Sequence, residues 1–390
     1  MPDKIIIFDT TLRDGEQSAG VSFSKQDKLD ISAALEAMGV DVIEAGFPAA
    51  SAAEADAVAA VARRTERAVV CGLSRCVAAD VDIAGEALRE AARSRIHLFL
   101  GSSDVHLAHQ LRADRATVVS RAQSMVSRAR RFTDDIEFSP MDATRADPAF
   151  LAELVRAVLA AGATTINIPD TVGYALPSQV DVCFRQLIER VPEVSRAVLS
   201  FHGQDDLGLS TANAITAVAA GARQVELAVN GIGERAGNTS FEEVVMALKV
   251  HATSLGVRTD VDARGIYALS KLVEERSGLA VPANKAIVGR NAFRHASGIH
   301  QDGVLKHRQN YEIIDPAWIG HPEGTQIVLG KLSGRAGFAA RIRDRGFRAS
   351  GEALERAFGS FQRLADTRRE VSDADLDAVC ASEGLERATP

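Results

Sequence analysis

The chain has 390 residues, of which 46% are hydrophobic, and a formal net charge of −7 at neutral pH. This composition is typical of a folded globular protein and excludes a disordered chain, and the isoelectric point near 5.8 argues against a nucleic-acid-binding surface. No apolar run approaches the roughly 18 residues needed to span a bilayer, and the start MPDKIIIFD lacks the features of a secretion signal.

The cysteines are dispersed and form no CxxC pair; they are Cys71, Cys76, Cys183 and Cys380. This spacing favours reduced thiols packed as small apolar groups over disulfides or zinc ligands. A cytoplasmic protein is therefore expected.

Short apolar runs recur along the first 230 residues, separated by stretches of helical periodicity. There are eight of them: Lys4 to Phe8, Val42 to Phe47, Ala68 to Leu73, Arg95 to Leu100, Asp135 to Ser139, Thr164 to Pro169, Ala197 to His202 and Gln224 to Asn230. Eight strand–helix units in about 250 residues predict an α/β fold, a (β/α)8 TIM barrel over residues 1–256. A doubly wound open sheet is the alternative, because periodicity does not show closure.

Helix start signals support these units. Ser24 and Asp27 have capping-box spacing, and Asp147 is followed by Pro148 at a first helical position. Beyond Gly256 the pattern changes to glycine-rich loops and helices, with helices expected over Tyr267 to Ser277, Glu352 to Thr367 and Ser372 to Ser382. Residues 257–390 are therefore predicted to form a smaller, mostly helical C-terminal subdomain.

Polar residues collect where the predicted strands end, which in a barrel is the mouth that carries the chemistry. His202, Gln204 and Asp206 alternate after the seventh run, so their side chains would point to one side. Asp14 after the first run and Asn238 after the eighth would close on the same point. One imidazole and several oxygens suit Mg²⁺ or Mn²⁺, with Zn²⁺ or Co²⁺ as alternatives. A hydrogen-bonded polar cluster without a metal remains open at this stage.

Long motifs follow one another in a fixed order from about residue 4 to 345: FDTTLRDGEQ, EAGFP, GLSRC, INIPDTVGY, DLGLSTAN, GARQVE, NGIGERAGN, EEVVMAL, SGIHQDGVLKHR and YEIIDP. Together they resemble the 2-isopropylmalate synthase and homocitrate synthase family of acyl-CoA-condensing barrel enzymes, with isopropylmalate synthases the most similar. The resemblance implies a divalent metal, acetyl-CoA and a 2-oxo acid as substrates, a 2-substituted malate as product, and a homodimer whose C-terminal segments reach the partner's active site.

The resemblance also implies roles for single residues. Asp14, His202, Gln204 and Asn238 would hold the metal, and Arg13 would stabilise the alkoxide formed at the attacked carbonyl. His300 would act in proton transfer with Tyr311 nearby, and Glu234 is a further catalytic candidate. The remaining candidates fall into an oxo-acid pocket, formed by His97, Ser139, Asn167 and Thr171, and a CoA site, formed by Gln17, Lys306 and Arg308.

The chain departs from the family pattern at three positions, and it is expected to have no counterpart of the leucine-binding regulatory domain of long isopropylmalate synthases. Gln204 stands where a histidine is common, Met141 where glutamate is usual, and Leu332 where the GKHSGR pattern has histidine. Gln204 can bind a metal only through its carbonyl oxygen, which predicts a harder and weaker site. Met141 replaces a carboxylate in the pocket by a thioether, which changes the charge available to a substrate.

Several functions remain open from the sequence alone. Within the synthases, homocitrate or a phosphonomethyl- or phosphinomethylmalate could be the product instead of isopropylmalate. A carbon–carbon lyase acting on an acyl-CoA is a second class, which the GIHQDG and YEIIDP segments disfavour. A binding protein with a degraded metal site is the third, suggested by Gln204 and Met141.

Overall fold

The computed structural model describes residues 2–368 and 370–387, which form two compact units, one up to Val281 and one from Pro282 onwards. The first unit extends past the expected end at Gly256 because a helix, Ile266–Ser277, packs on the barrel. Asn230 Nδ2 donates to the Ser270 carbonyl at 2.9 Å, which ties that helix to the loop after the last strand. Residues 1, 369 and 388–390 of the two predicted domains lie outside the described residues.

The first unit is a closed parallel barrel of eight strands. The barrel strands are β1 (Ile6–Asp9), β2 (Val42–Gly46), β3 (Val69–Arg75), β4 (Ser94–Gly101), β5 (Ile136–Met141), β6 (Thr165–Asp170), β7 (Val198–Gly203) and β8 (Gln224–Leu227). Strand β1 pairs with both β2 and β8, with Ile6 opposite Gln224 in the closing pair. This closure confirms the predicted TIM barrel and excludes the open sheet.

Helices surround the barrel, and most begin at the signals that the sequence carries. Their bounds are α1 (Lys25–Ala37), α2 (Ala52–Arg64), α3 (Ala78–Ala87), α4 (Arg115–Ala129), α5 (Pro148–Ala161), α6 (Pro177–Arg190), α7 (Ser210–Ala219), α8 (Phe241–Val250), α9 (Ala252–Leu255) and α10 (Ile266–Ser277). Ser24 caps α1 in a capping box with Asp27, and Asp147 caps α5 by accepting from the Phe150 amide. In the described part of the chain, no helix is long and apolar enough to cross a membrane.

The described residues of the second unit form four α-helices, α11 (Gly298–Lys306), α12 (Arg335–Asp344), α13 (Gly351–Ala365) and α14 (Asp373–Ser382), and a parallel pair of two-residue strands, Arg294–His295 and Gln326–Ile327. Its own hydrophobic core includes Phe338, Ile342, Phe361 and Leu376. Three phenylalanine rings, of Phe338, Phe358 and Phe361, lie within 6 Å of one another between α12 and α13. This unit is mostly helical, as expected.

The barrel interior is polar as well as apolar. Arg95 on β4 donates through Nη1 to Glu137 Oε2 on the adjacent strand β5 at 2.9 Å and to Gln224 Oε1 on β8 at 2.7 Å, so two neighbouring strands are linked to a third across the barrel interior. All three side chains are buried. Because a buried charge is stable only when paired, this network fixes the strands on which the candidate site stands.

Candidate active site

A cavity of about 210 Å³ lies at the carboxyl ends of the barrel strands. Ten of the predicted site residues line it: Arg13, Asp14, Gln17, His97, Ser139, Asn167, Thr171, His202, Gln204 and Glu234. Asn238 contacts this group from a buried position through the side chain of Gln204. The structure thus brings together the residues that the sequence placed on separate strands.

Three acceptor atoms converge at one side of the cavity. They are Oδ2 of Asp14, Nε2 of His202 and Oδ1 of Asn238, and each lies 3.0–3.1 Å from the amide nitrogen of Gln204. The Asp14 and His202 atoms are 3.6 Å apart. A carboxylate, an imidazole nitrogen and an amide oxygen form a donor set that suits a divalent cation such as Mg²⁺ or Mn²⁺.

A second contact orients each of these three side chains. Nδ1 of His202 lies 2.8 Å from Oε2 of Glu226, which leaves Nε2 facing the cavity. Asn238 donates through Nδ2 to the Ile232 carbonyl at 3.0 Å, which turns its oxygen inward. Arg13 donates to Asp14 Oδ2 at 2.9 Å. Such outer contacts are characteristic of metal sites, and the three residues fit a bound cation.

The pKa values at this cluster follow from burial and charge. Burial alone would raise the pKa of Asp14, but the charge of Arg13 holds it below its usual value. Burial would lower the pKa of His202, but the hydrogen bond and charge of Glu226 raise it. Asp14 is therefore ionised at neutral pH and available as a ligand.

The loop Asn230 to Asn238 owes its path to glycines. A Cβ on Gly233 would lie 2.1 Å from Nδ2 of Asn238, and one on Gly237 would lie 2.0 Å from the Gly231 carbonyl oxygen. Gly237 also has a φ of +98°, a conformation that favours glycine. These positions let the loop fold tightly enough to present Asn238 to Asp14 and His202.

Glu44 on β2 was not predicted as a site residue, although it contacts two residues that were. Its Oε2 accepts from Nε of Arg13 at 2.7 Å, and its Oε1 lies 2.8 Å from Nδ1 of His97. Arg13 and His97 hold the pKa of Glu44 well below its usual range against the effect of burial. Glu226, on β8, was missed in the same way, although a carboxylate within an apolar strand was a signal for both.

Three of the four predicted oxo-acid residues, His97, Ser139 and Asn167, are joined by hydrogen bonds. Nε2 of His97 lies 2.7 Å from Oγ of Ser139, and Asn167 donates through Nδ2 to the same oxygen at 2.8 Å. Within the part of the chain that the structure describes, Oδ1 of Asn167 is buried without a hydrogen-bond partner. Thr171 accepts from the Asp142 amide at 2.9 Å on the cavity wall.

Asp206, which alternates with Gln204, instead pairs with Arg235 at 2.8 Å and does not join the acceptor cluster.

Two other groups bring possible ligand atoms within 4.8 Å of one another: Glu44, Cys71 and His97, and His97, Glu137 and Glu226. Their carboxylates already have partners in the protein, Arg13 for Glu44, Arg95 for Glu137 and His202 for Glu226. Burial also raises the pKa of the Cys71 thiol well above its usual value, so it is not a thiolate. We interpret both groups as the internal charge network of the barrel.

The remaining predicted residues lie in the second unit. The rings of His300 and Tyr311 stack with centroids 4.0 Å apart, and both side chains are exposed. Gly303 makes room for this pair, because a Cβ there would lie 2.4 Å from the Tyr311 ring. Lys306 pairs with Asp302 at 2.6 Å, and Arg308 pairs with Glu312 at 2.9 Å.

Comparison with known proteins identifies the family. The family model described as HMGL-like matches residues 4–273, and the model described as homocitrate synthase post-HMGL domain-like matches residues 287–369. The 2-isopropylmalate synthases of Thermosynechococcus vestitus and Methylococcus capsulatus are 50% and 51% identical to the chain, over 98% and 99% of its length and 74% and 75% of theirs. The chain belongs to the 2-isopropylmalate synthase family. This confirms the resemblance that the motifs indicated, and with it the predicted class of acyltransferases.

Solved structures show the same fold outside the 2-isopropylmalate synthase family. The lyase "HMG-CoA lyase from Acenitobacter baumannii" has a TM-score of 0.62 at 23% identity, with 75% of this chain and 97% of that chain covered. The HMG-CoA lyase of Bacillus subtilis has a TM-score of 0.61 at 22% identity, with 73% and 97% covered. At these identities the likeness concerns the barrel fold alone.

Proposed function

We propose that this chain catalyses a metal-dependent condensation of acetyl-CoA with 2-oxoisovalerate, giving 2-isopropylmalate and CoA. The observation that carries the proposal is the cavity in which Asp14, His202 and Asn238 present three oriented acceptor atoms beside Arg13. The names of the relatives, at about 50% identity over nearly the whole chain, support the reaction.

Asp14, His202 and Asn238, with Gln204 through its carbonyl oxygen, would hold the metal. We favour Mg²⁺ or Mn²⁺ because three of these four ligand atoms are oxygens. When bound, the metal would act as a Lewis acid on the keto group of the oxo acid. Arg13, held by Asp14 and Glu44, would stabilise the negative charge that develops on the keto oxygen as the carbonyl is attacked.

The cavity supports an oxo acid with an uncharged, branched side chain. The apolar side chains that line the cavity are Leu73, Phe99, Met141 and Pro169. The arginines that line the cavity are already paired, Arg13 with Asp14 and Glu44 and Arg235 with Asp206. A second substrate carboxylate, as in 2-oxoglutarate, would have to displace a buried partner from one of these arginines or be desolvated at a cost.

The acetyl methyl group must lose a proton to a base before its carbon attacks the keto carbon. The new carbon–carbon bond leaves negative charge on the keto oxygen, which takes up a proton, and water then cleaves the thioester to release CoA thiol and a carboxylate. We assign the proton transfers to His300, with Tyr311 stacked on it, and to Glu234 on the cavity rim. Glu234 matters more here because Met141 supplies no carboxylate.

We further propose a homodimer in which residues of the second unit complete the partner subunit's site. His300 and Tyr311 are exposed on their own unit, which leaves them available for such a contact. Lys306 and Arg308 would meet the CoA phosphates by exchanging Asp302 and Glu312 for phosphate oxygens, and Gln17 would contact CoA at the cavity. The free cysteines support a cytoplasmic location.

Homocitrate synthesis is the second candidate, because the model that matches residues 287–369 is described from homocitrate synthases. Thiol release from acetyl-CoA, measured across a panel of 2-oxo acids with Mn²⁺, separates the two. We expect 2-oxoisovalerate to give the highest kcat/KM, at least about tenfold above 2-oxoglutarate, because only the latter brings a second carboxylate into the cavity. A preference for 2-oxoglutarate would replace our proposal by the homocitrate reaction, and no release with any oxo acid would refute both.

A further inference from the structure

The amide nitrogen of Gln204 has one acceptor too many. It lies 3.1 Å from Asp14 Oδ2, 3.1 Å from His202 Nε2 and 3.0 Å from Asn238 Oδ1. A primary amide nitrogen carries only two hydrogens, so it cannot donate to all three atoms at once. Its position is the point on which the three acceptors converge.

The oxygen of the same amide, in contrast, lacks a hydrogen-bond donor in the described part of the chain. Oε1 of Gln204 is buried and has no hydrogen-bond partner among the described residues. The side chains around it are each fixed by a contact of their own, His202 by Glu226 and Asn238 by the Ile232 carbonyl. Gln204 is thus the one member of the cluster whose terminal group no outer contact orients.

An amide that turns about its last side-chain bond exchanges its nitrogen and oxygen. With the nitrogen inward, two of the three acceptors gain a donor and no cation is required. With the oxygen inward, four acceptor atoms would face one another, which is favourable only around a cation. The two orientations of the Gln204 amide therefore correspond to two states of the site.

We propose that the Gln204 amide nitrogen occupies the cation position when no metal is bound, and that a divalent ion enters by displacing this nitrogen and taking Oε1 as its ligand. The inference rests on the metal site of the proposed function. In this proposal the Gln204 amide oxygen is a ligand of the ion, and the amide nitrogen competes with the ion for the acceptor atoms. Each binding event therefore breaks the hydrogen bonds that the nitrogen makes. A histidine at this position could not play both roles in this way, because it carries no carbonyl oxygen to turn inward.

Two consequences follow for the metal-free protein. The hydrogen bonds of the nitrogen replace part of the stabilisation that a cation would give to Asp14, His202 and Asn238. The metal-free barrel should therefore remain folded and stable. The same hydrogen bonds should lower the apparent affinity for metal, because the ion must compete with them.

The test compares two substitutions in the same cavity, Gln204→Glu at a buried position and Gln17→Glu at an exposed one. Both replace an amide by an isosteric carboxylate and add one negative charge, but only the first removes the donor from the acceptor cluster. The melting temperature of chelator-treated, dialysed protein is measured at pH 8, and Mn²⁺ alone is then titrated by calorimetry. Neither measurement involves substrate.

We expect Gln204→Glu to lower the melting temperature of the metal-free protein by several degrees, and saturating Mn²⁺ to remove the difference from wild type. Its Mn²⁺ affinity should rise at least about tenfold, because the competing donor is lost and a charged ligand is gained. Gln17→Glu should leave the metal-free melting temperature unchanged. A Gln204→Glu protein that melts with wild type when metal-free, or binds Mn²⁺ no more tightly, would overturn the proposal.

A second variant covers the case in which Gln204→Glu yields no folded protein. Gln204→Met keeps the length of the side chain but cannot donate, so the metal-free melting temperature should again fall. An unchanged value would show that the nitrogen does not stabilise the acceptor cluster. Because these measurements need neither acetyl-CoA nor an oxo acid, a failed condensation assay would refute the proposed reaction without deciding the role of Gln204.

Discussion

Nε of Arg13 donates to Oε2 of Glu44 at 2.7 Å, across the mouth of the barrel between the end of β1 and strand β2. The other oxygen of Glu44 lies 2.8 Å from Nδ1 of His97 on β4. Glu44 is fully buried, so its charge acts in a medium of low polarity. The Glu44 carboxylate therefore positions two groups. One is the Arg13 guanidinium, to which we assign stabilisation of the negative charge on the keto oxygen, and the other is His97, to which we assign binding of the oxo acid.

Glu44→Gln should lower kcat for thiol release about 10- to 100-fold, the usual cost of losing an outer contact that orients an active-site group. Glu44 lines no part of the cavity, so the KM for acetyl-CoA should change little. Glu54→Gln is the matched control, because Glu54 also pairs with a buried cation, Lys28 at 2.7 Å, but away from the cavity. Equal kcat losses in the two variants would show a general loss of stability instead of a positioning role.

The stability of the protein should depend on pH through His97. Burial alone would lower its pKa, but the charges of Glu226, Glu44 and Glu137 raise it to about 9. The folded-state pKa of His97 lies above its unfolded value of about 6.5. Protonated His97 therefore contributes its full stabilisation to the folded protein below pH 6.5, and this stabilisation is lost as the pH rises through 9. Over that window the free energy of unfolding should fall by roughly 3 kcal/mol from this residue.

Urea unfolding of wild type and His97→Gln at several pH values checks this expectation. The difference in unfolding free energy between the two proteins should be largest near pH 6 and shrink above pH 9. A difference that stays constant from pH 6 to pH 10 would mean that His97 is not charged in the folded protein.

Asp14→Ala and His202→Ala should each abolish thiol release while leaving the protein folded. Each substitution removes one of the three converging acceptor atoms and leaves the barrel strands intact. Circular dichroism and size-exclusion chromatography verify the fold, and calorimetry with Mn²⁺ should show binding weakened at least about tenfold. Full turnover of the wild-type protein in excess chelator would contradict the metal requirement.

Mixing two inactive variants, Arg13→Ala and His300→Ala, should restore activity. Arg13 lies in the first unit and His300 in the second, so in a heterodimer of the proposed kind one of the two sites has both residues intact. Arg13→Ala mixed with Asp14→Ala is the control, because both changes lie in the same unit and no site can be whole. If subunits demonstrably exchange and the first mixture stays inactive, His300 acts within its own chain.

Much of the fold follows from the sequence because its signals are local. The eight apolar runs are short and regularly spaced, and each became a strand whose ends differ from the expected ones by a few residues. The capping residues Ser24 and Asp147 start their helices as expected. The end of the first unit was not predictable in this way, because whether α10 belongs to the barrel depends on contacts such as that of Asn230 with Ser270.

The sequence predicted which residues belong to the candidate site, but not which contacts they make with one another. Strand ends identify Asp14, His202 and Asn238, because the residues after parallel strands share one mouth. The link from Arg13 through Glu44 to His97 joins positions far apart in the chain and depends on which barrel layer each side chain occupies. The convergence of three acceptor atoms on the Gln204 nitrogen depends on interatomic distances, and residue spacing in the sequence does not determine these.

The most direct test of the account follows the carbon atoms. The protein is incubated with Mn²⁺, 2-oxoisovalerate and acetyl-CoA that carries 13C in both acetyl carbons, and products are identified by mass spectrometry alongside thiol release. The account predicts 2-isopropylmalate that contains both labelled carbons, formed in equal amount to the free thiol and absent with Asp14→Ala. Thiol released as labelled acetate, with no new carbon–carbon bond, would contradict it.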